Sequence, residues 1–142
     1  MGVIARLSHV GFNVPREKFE QECEFWEQVV GLKAMHGQPG RNQFFAADPL
    51  RDHEFILFAT DAPVTAFGDE GYILNHIAFY VPSYAEIDEL SARVEAHGTT
   101  VDRQPDGSRR RARFISPAGI RFELNTPPHA NPEGYESRTQ RV

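Results

Sequence analysis

Two histidines of the chain lie in closely similar surroundings. His9 begins the segment His-Val-Gly-Phe-Asn-Val-Pro, and His76 begins His-Ile-Ala-Phe-Tyr-Val-Pro, 76 − 9 = 67 residues later. Two imidazoles and one carboxylate form a metal site that keeps coordination positions open for substrate, oxygen or water. A lone histidine on a strand is usually an ordinary core or surface residue. Because these two occur at matching positions, we interpret both as candidate metal ligands.

The same spacing recurs elsewhere in the chain. Gly31 and Gly98 are 98 − 31 = 67 residues apart, and the Phe-Ile-Leu segment at 55–57 aligns at this offset with Phe-Glu-Leu at 122–124. Several landmarks at one spacing predict an internal duplication. The repeated unit is therefore the first thing that the fold must explain.

Each copy has the pattern of a βαβββ unit. An alternating apolar and polar segment ends at a proline, an amphipathic helix ends at a glycine, and three short strand-like stretches follow. Phe25 and Trp26 belong to the core-facing stripe of the first helix, and the segment Ser83 to Glu86 has the form of a capping box that opens the second. The three later strands are predicted at 32–36, 42–47 and 53–60 in the first copy, and at 99–103, 110–116 and 119–125 in the second.

The predicted fold class is α+β, with repeats at 4–60 and 71–126 and a tail at 127–142, all within a single domain spanning 1–142. A βαβββ unit covers one face of its sheet with its own helix and leaves the other face bare. We expect the two bare faces to form a half-open, mixed-sheet cup or barrel with the helices outside. A cup of this kind encloses a small ligand.

Strand alternation predicts which side chains line this cup. On the last strand the apolar side chains alternate with Glu123, which therefore joins His9 and His76 on the inner face. These three side chains form the predicted site for one catalytic divalent metal ion. The counterpart of Glu123 in the first copy is Ile56, so that copy lacks the equivalent carboxylate.

Other polar residues are candidates for contact with a substrate. Asn13, Tyr80 and Asn125 flank the proposed ligands on the inner face, where substrate contact and plain cavity lining both fit their positions. Glu54 lies on the same strand face as Ile56. It is either a fourth ligand, after a shift of register, or a general base beside the bound substrate, which we favour.

Four arginines, Arg109, Arg110, Arg111 and Arg113, fall within five positions. They form either a solvated hairpin turn or a clamp for an anionic substrate, because arginine pairs with carboxylates through two hydrogen bonds. The net charge of −5 disfavours a nucleic-acid partner, which requires a broad basic face. We therefore expect a small-molecule substrate.

Composition indicates a folded, soluble protein of 142 residues, with 40% hydrophobic and 25% charged residues. The single cysteine, Cys23, excludes an internal disulfide, and with no secretion-signal pattern the chain is expected in the cytoplasm. No apolar run reaches the roughly 20 residues that span a membrane. His36, His97 and His129 lie near turns or in the tail and are predicted surface residues.

Motifs spread over nearly the whole chain are typical of one known superfamily. They are the strand from His9, Phe25-Trp26 before Gly31, the strand from His76, and Ser116-Pro117-Ala118-Gly119 before Glu123. Together they resemble the glyoxalase, bleomycin-resistance and type I extradiol dioxygenase group, the vicinal oxygen chelate superfamily. The resemblance also implies a homodimer, since a second subunit often covers exposed strand edges in such cups.

Members of this group differ in their metal ligands. Glyoxalase I and methylmalonyl-CoA epimerase use four, with a carboxylate where this chain has Ile56. Type I extradiol dioxygenases use two histidines and one glutamate, and His9, His76 and Glu123 match those positions. The resemblance therefore implies a dioxygenase-like enzyme acting on an aromatic or cyclic diol, with Fe(II) as the expected metal and Mn(II), Zn(II) or Ni(II) as alternatives.

The chain departs from the ring-cleaving enzymes at two positions, because Glu54 and Arg113 stand where those enzymes carry a histidine and a tyrosine. His53 is a candidate replacement base after a one-residue bulge, although alternation predicts that its side chain faces away from the cup. Two alternatives stay open. One is a glyoxalase-, epimerase- or lyase-type metalloenzyme with Glu54 as base, and the other is a metal-free small-molecule binding protein of the resistance type.

Overall fold

The computed structural model describes residues 7–48, 50, 52–65, 67–68, 70–104 and 111–126. The chain divides into two compact units, Met1–Thr65 and Ala66–Val142. Within the described ranges, each unit contains one four-stranded mixed sheet and one helical segment. The predicted α+β class and the two βαβββ units are confirmed. Arg109, Arg110, His129 and the predicted tail lie outside the described residues.

The first unit begins with strand β1 and continues through a helical segment to three further strands. The helical segment consists of a 3₁₀ turn (Arg16–Lys18), helix α1 (Phe19–Glu24) and a π-helical stretch (Phe25–Val30). Its sheet has the order β1-β4-β3-β2, in which β1 and β4 are parallel and the other neighbours antiparallel. The strands are β1 (Val10–Pro15), β2 (Lys33–Gln38), β3 (Asn42–Ala46) and β4 (Phe55–Thr60).

The helical segment of the first unit packs on one face of its sheet. Phe25 and Trp26 are completely buried, as predicted, and the Trp26 ring lies 4.4 Å from that of Phe55 on β4. Gly31 ends the segment with a φ of 91°, a left-handed conformation that glycine adopts without a steric penalty. This packing covers one face of the first sheet with apolar side chains.

The second unit repeats this order with strands β5 (Ile77–Tyr80), β6 (Val101–Gln104), β7 (Arg111–Ile115) and β8 (Arg121–Asn125), and with helix α2 (Tyr84–Ala96). Its sheet has the order β5-β8-β7-β6. Helix α2 follows Ser83 as predicted, but the Ser83 hydroxyl donates to the Glu86 carboxylate and does not cap a backbone N–H of the helix. In the described ranges, no helix is both long and apolar enough to cross a membrane.

The two copies pair their first and last strands in the same register. Gly11 of β1 pairs with Ile56 of β4, and Ala78 of β5 pairs with Glu123 of β8. Each partner in the second pair lies 67 positions after its counterpart in the first, since 78 − 11 = 123 − 56 = 67. The predicted equivalence of Ile56 and Glu123 is therefore confirmed.

Candidate metal centre

Glu123 lies in the middle of β8, between the buried Phe122 and Leu124, and its side chain is on the opposite face of the strand. Arg113 of β7 donates from Nε to Glu123 Oε2 at 2.5 Å, and Asn125 donates from Nδ2 to Oε1 at 2.8 Å. We call this the polar face of the second sheet. It comprises Arg111, Arg113, Arg121, Glu123 and Asn125.

The surroundings of Glu123 set its charge. Desolvation by burial acts to raise its pKa, but the hydrogen bonds from Arg113 and Asn125, and the positive charges of Arg113 and Arg111, outweigh it and lower the pKa below the ordinary value. Arg111 Nη1 is 3.8 Å from Glu123 Oε2. The carboxylate is thus ionised at neutral pH, the form in which a carboxylate binds a metal ion.

His76 lies directly before β5 and faces this carboxylate. Its Nε2 is 4.0 Å from Glu123 Oε2, and its Nδ1 is 2.6 Å from Asn75 Oδ1. A carboxamide oxygen only accepts hydrogen bonds, so in the neutral ring Nδ1 carries the proton and Nε2 presents its lone pair. Two metal–ligand bonds of about 2.0–2.2 Å span up to about 4.2 Å. This imidazole and this carboxylate therefore fit a divalent metal ion in both spacing and donor chemistry.

His9 belongs to the first unit and lies directly before β1. Its ring centroid is 5.0 Å from that of His53, and its Nδ1 is 3.2 Å from Ser8 Oγ. Within either unit taken by itself, the described residues contain no group of three His, Cys, Asp or Glu side chains arranged to hold a metal ion. The complete three-ligand set stays a prediction, and His76 with Glu123 is the part that a single unit brings together.

His53 lies in an aromatic cluster of the first unit. Its ring centroid is 4.8 Å from that of Phe44 and 5.8 Å from that of His36. The Asp52 carboxylate lies beside this ring, with its Oδ1 3.1 Å from the buried His53 Nδ1. The prediction that His53 faces away is wrong. Strand β4 begins only at Phe55, so strand alternation does not extend to position 53.

Glu54 holds the loop between β3 and β4. Its Oε2 accepts hydrogen bonds from the backbone N–H groups of Ala47 at 2.8 Å and Asp48 at 3.3 Å. The carboxylate therefore has a structural role in the loop that leads to His53. A catalytic or metal-ligating role for Glu54 stays a prediction.

The predicted substrate residues divide between the two units. Asn13 is exposed on β1 of the first unit. Tyr80 is 67% exposed and pairs in register with Asn125, which in turn holds Glu123 together with Arg113. Three of the four predicted substrate residues are thus on or next to the polar face. Their contact with a substrate stays a prediction.

The sequence reasoning missed a cavity of about 350 Å³ on the polar face. Arg121 lines it together with Arg113, and Asp102 approaches from β6. The sequence does contain a signal for Arg121. It is two residues before Glu123 on one strand, so alternation predicts that both side chains are on the same face. The complete lining is Thr100, Asp102, Arg113, Phe114, Ile115 and Arg121.

Solved structures of other proteins share this fold. The fosfomycin resistance protein FosX from Listeria monocytogenes is 22% identical with a TM-score of 0.70, over 99% of this chain and 100% of that chain. A mutant of that protein, complexed with Mn(II) and a dihydroxypropylphosphonic acid, is 20% identical with a TM-score of 0.68, over 91% and 96%. Lactoylglutathione lyase from Agrobacterium tumefaciens is 22% identical with a TM-score of 0.62, over 88% and 96%. At these identities the likeness shows the fold alone.

Sequence comparison gives the family. The uncharacterized protein PA2024 of Pseudomonas aeruginosa is 27% identical over 99 residues, which are 67% of this chain and 67% of that protein. The family model that matches residues 6–124 covers most of the chain, and its description includes both enzymes and resistance proteins. The resemblance in the motifs is thereby confirmed. The chain belongs to the Glyoxalase/Bleomycin resistance protein/Dioxygenase superfamily.

Proposed function

We propose that the protein is a metal-dependent enzyme whose small substrate chelates the metal ion through two neighbouring oxygen atoms. One observation carries this proposal: Nε2 of His76 is 4.0 Å from Oε2 of the buried carboxylate of Glu123. His9 is the proposed third ligand. Two imidazoles and one carboxylate leave coordination positions open for the substrate. The Mn(II) complex of the structurally similar FosX mutant supports a divalent ion in this family.

A divalent ion bound there supplies Lewis acidity and, if it is Fe(II), the capacity to activate dioxygen. The chain's own residues would hold the metal ligand in place and bind and orient the substrate. Asn125 and Arg113 hold the Glu123 carboxylate in place through their hydrogen bonds. Asn13 and Tyr80, both exposed, are the proposed contacts for the polar groups of the substrate.

His53 is the proposed general base. Its ring lies next to that of the proposed ligand His9, with the centroids 5.0 Å apart, and imidazole is the side chain most often used as a general base. Glu54 is the second candidate. Its carboxylate accepts two backbone hydrogen bonds and so already holds the loop in place. We therefore assign proton transfer to His53 and positioning of the loop to Glu54.

Two reaction classes are consistent with this site, and each has one observation in its favour. The extradiol dioxygenase reaction on an aromatic or cyclic diol, with Fe(II), is favoured by a histidine base next to a proposed ligand. A lyase, isomerase or hydrolase reaction with Mn(II), Zn(II) or Ni(II) is favoured by the guanidinium groups of Arg111 and Arg113 around Glu123, which stabilise developing negative charge. We place the dioxygenase first.

Metal binding is the first test of the proposal. Protein purified without chelator is analysed for its metal content, and the metal-free protein is then titrated calorimetrically with Fe(II), Mn(II), Zn(II) and Ni(II). We expect one ion per chain and a loss of affinity of at least about tenfold in Glu123→Gln and in His76→Gln. The matched control is His97→Gln, which changes an exposed histidine at the end of α2. If none of these ions binds stoichiometrically, the protein is a metal-free binding protein instead.

The reaction class is tested by mixing the metal-loaded protein with candidate diols, first without and then with oxygen. The dioxygenase proposal requires that oxygen uptake equals product formation. Turnover without oxygen consumption assigns the lyase, isomerase or hydrolase class and rejects the dioxygenase.

We further propose that the protein acts as a homodimer in the cytoplasm. Tyr72, Ile73 and Leu74 are three consecutive exposed side chains, and apolar surface of this kind is often covered by a second copy. The single free thiol, Cys23, is suited to a reducing compartment. Sedimentation equilibrium tests the first part, and a monomer at micromolar concentration contradicts it. Cell fractionation tests the second.

A further inference from the structure

The cavity on the polar face of the second sheet is not used by the proposed metal ligands. Its volume of about 350 Å³ is at the lower end of the range for small-ligand pockets. Two guanidinium groups, from Arg113 and Arg121, line it together with one carboxylate, from Asp102. Ile115 and Phe114 add apolar surface. A cavity of this size and lining suits a small molecule with one charged end.

Strand register places the charged side chains of the cavity on the same face of three neighbouring strands. Asp102 of β6 pairs with Arg113 of β7, which pairs with Glu123 of β8, and Ile115 pairs with Arg121. Arg121 precedes Glu123 by two residues on the same strand, so their Cα atoms are about 7 Å apart. Of the two arginines that line the cavity, Arg113 is therefore opposite the proposed metal ligand and Arg121 is two residues away from it on the same strand.

The charges around the cavity favour an anion. Arg111, Arg113 and Arg121 carry three positive charges, against the two negative charges of Asp102 and Glu123. Glu123 accepts a hydrogen bond from Nε–H of Arg113. A guanidinium group has five N–H donors, so it can donate to a second anion as well. Arginine is also the residue best suited to hold a planar carboxylate or a phosphate group through two parallel hydrogen bonds.

We propose that this cavity binds the acidic group of a small substrate, a carboxylate, phosphate or phosphonate, through Arg113 and Arg121. In naming the ligand as the substrate of the metal centre, the inference rests on the proposed function, whereas anion binding itself requires no metal ion. The substrate is then a small oxygenated acid whose acidic group is a few bonds away from the chelating oxygens. In the dioxygenase case this is a diol that bears an acidic substituent.

Calorimetric titration of the metal-free protein at low ionic strength tests the site, with methylphosphonate and propionate as separate probes. We expect saturable binding of at least one probe at one molecule per chain, and weaker binding as the salt concentration rises. Arg121→Gln should reduce the affinity at least about tenfold, because charge-assisted hydrogen bonds are lost. Arg121→Lys keeps the charge but not the fork of donors, so an intermediate loss is expected.

Arg103→Gln is the matched control. Like Arg121→Gln, it removes one positive charge from the second sheet. Arg103 of β6, however, pairs in register with the buried Ala112, and it forms its ion pair with the exposed Glu95 at 2.8 Å, so it does not belong to the cavity lining. This variant should bind both probes with unchanged affinity. Melting curves of all three variants establish that they are folded, and if Arg121→Gln fails to fold, Arg121→Lys carries the test.

Each outcome decides a separate point. Preference for methylphosphonate assigns a phosphate or phosphonate group, and preference for propionate assigns a carboxylate. The absence of saturable binding of both probes, or equal losses in Arg121→Gln and Arg103→Gln, overturns the inference. If the anion binds but no divalent ion does, the proposed enzymatic function fails and the anion site stands.

Discussion

Ile56 and Glu123 occupy equivalent positions in the two sheets, yet their antiparallel partners differ. Ile56 of β4 is opposite Phe44 of β3, whereas Glu123 of β8 is opposite Arg113 of β7. Both residues are buried, with 4% and 5% of their surface exposed. The duplicated architecture thus keeps the register in both copies, but only the second copy stabilises a buried carboxylate at this position.

Ile56→Glu places a carboxylate where no arginine is opposite. We expect the free energy of unfolding to fall by about 3–5 kcal/mol, because a buried charge is left without a partner. Ile56→Val, the control, should cost about 0.5–1.5 kcal/mol. If position 56 adjoins the proposed metal centre, saturating Mn(II) restores part of the loss in the Glu variant alone. Urea denaturation with and without Mn(II) measures both effects, and wild-type stability of Ile56→Glu in the absence of metal would contradict the burial argument.

His53→Gln and Glu54→Gln separate the two candidate bases. With nitrocatechol as a chromophoric probe and Mn(II)-loaded protein, stopped-flow absorbance follows the deprotonation of the bound diol. His53→Gln should slow this step by about 10²-fold or more, because a general base is lost, with little change in probe affinity. Glu54→Gln should leave the rate near that of the wild type and chiefly reduce thermal stability. The reverse pattern assigns the base to Glu54.

Cys23 should be a poor nucleophile in the folded protein. Desolvation, followed by the charges of Glu20, Glu22 and Glu27, raises the pKa of this half-buried thiol to about 12. The thiolate is the reactive form, so alkylation by iodoacetamide at pH 8.5 should be at least about 100-fold slower in the folded protein than in urea. Equal rates in the two states would contradict this prediction.

The same thiol should make stability depend on alkaline pH. Its pKa rises from 9.0 to about 12 on folding, so the unfolded chain loses this proton first as the pH increases. The stabilising contribution is complete below pH 9 and decreases between about 9 and 12. Cys23→Ala lacks this titration, and the difference between the two urea denaturation curves across that pH range isolates it.

Glu22 should stabilise the first helical segment through Trp26. The indole Nε1–H donates to Glu22 Oε1 at 2.8 Å, and both side chains are completely buried. Glu22→Ala leaves this donor without that acceptor and should cost at least about 1–3 kcal/mol. Glu22→Gln keeps an acceptor oxygen and should cost clearly less. Urea denaturation followed by tryptophan fluorescence measures both, and equal losses would exclude the hydrogen bond as the cause.

The sequence alone determined the duplication, the βαβββ order and the equivalence of Ile56 with Glu123. These features depend on local periodicity and on a spacing of 67 residues, both of which can be read along the chain. The type of each element, helix or strand, could be predicted for the same reason. Local geometry differs from the prediction at two places. The first helical segment changes to a π-helical stretch at Phe25–Val30, and the Ser83 hydroxyl donates to the side chain of Glu86.

Only the tertiary structure decided which distant side chains meet. Strand register brings Arg113 to the carboxylate of Glu123 and places Arg121 and Asp102 around one cavity. The start of β4 at Phe55 releases His53 from strand alternation, so that its ring packs against Phe44. Hydrogen-bond partners, burial and charge balance depend on these contacts between separate strands, and composition and periodicity do not encode them directly.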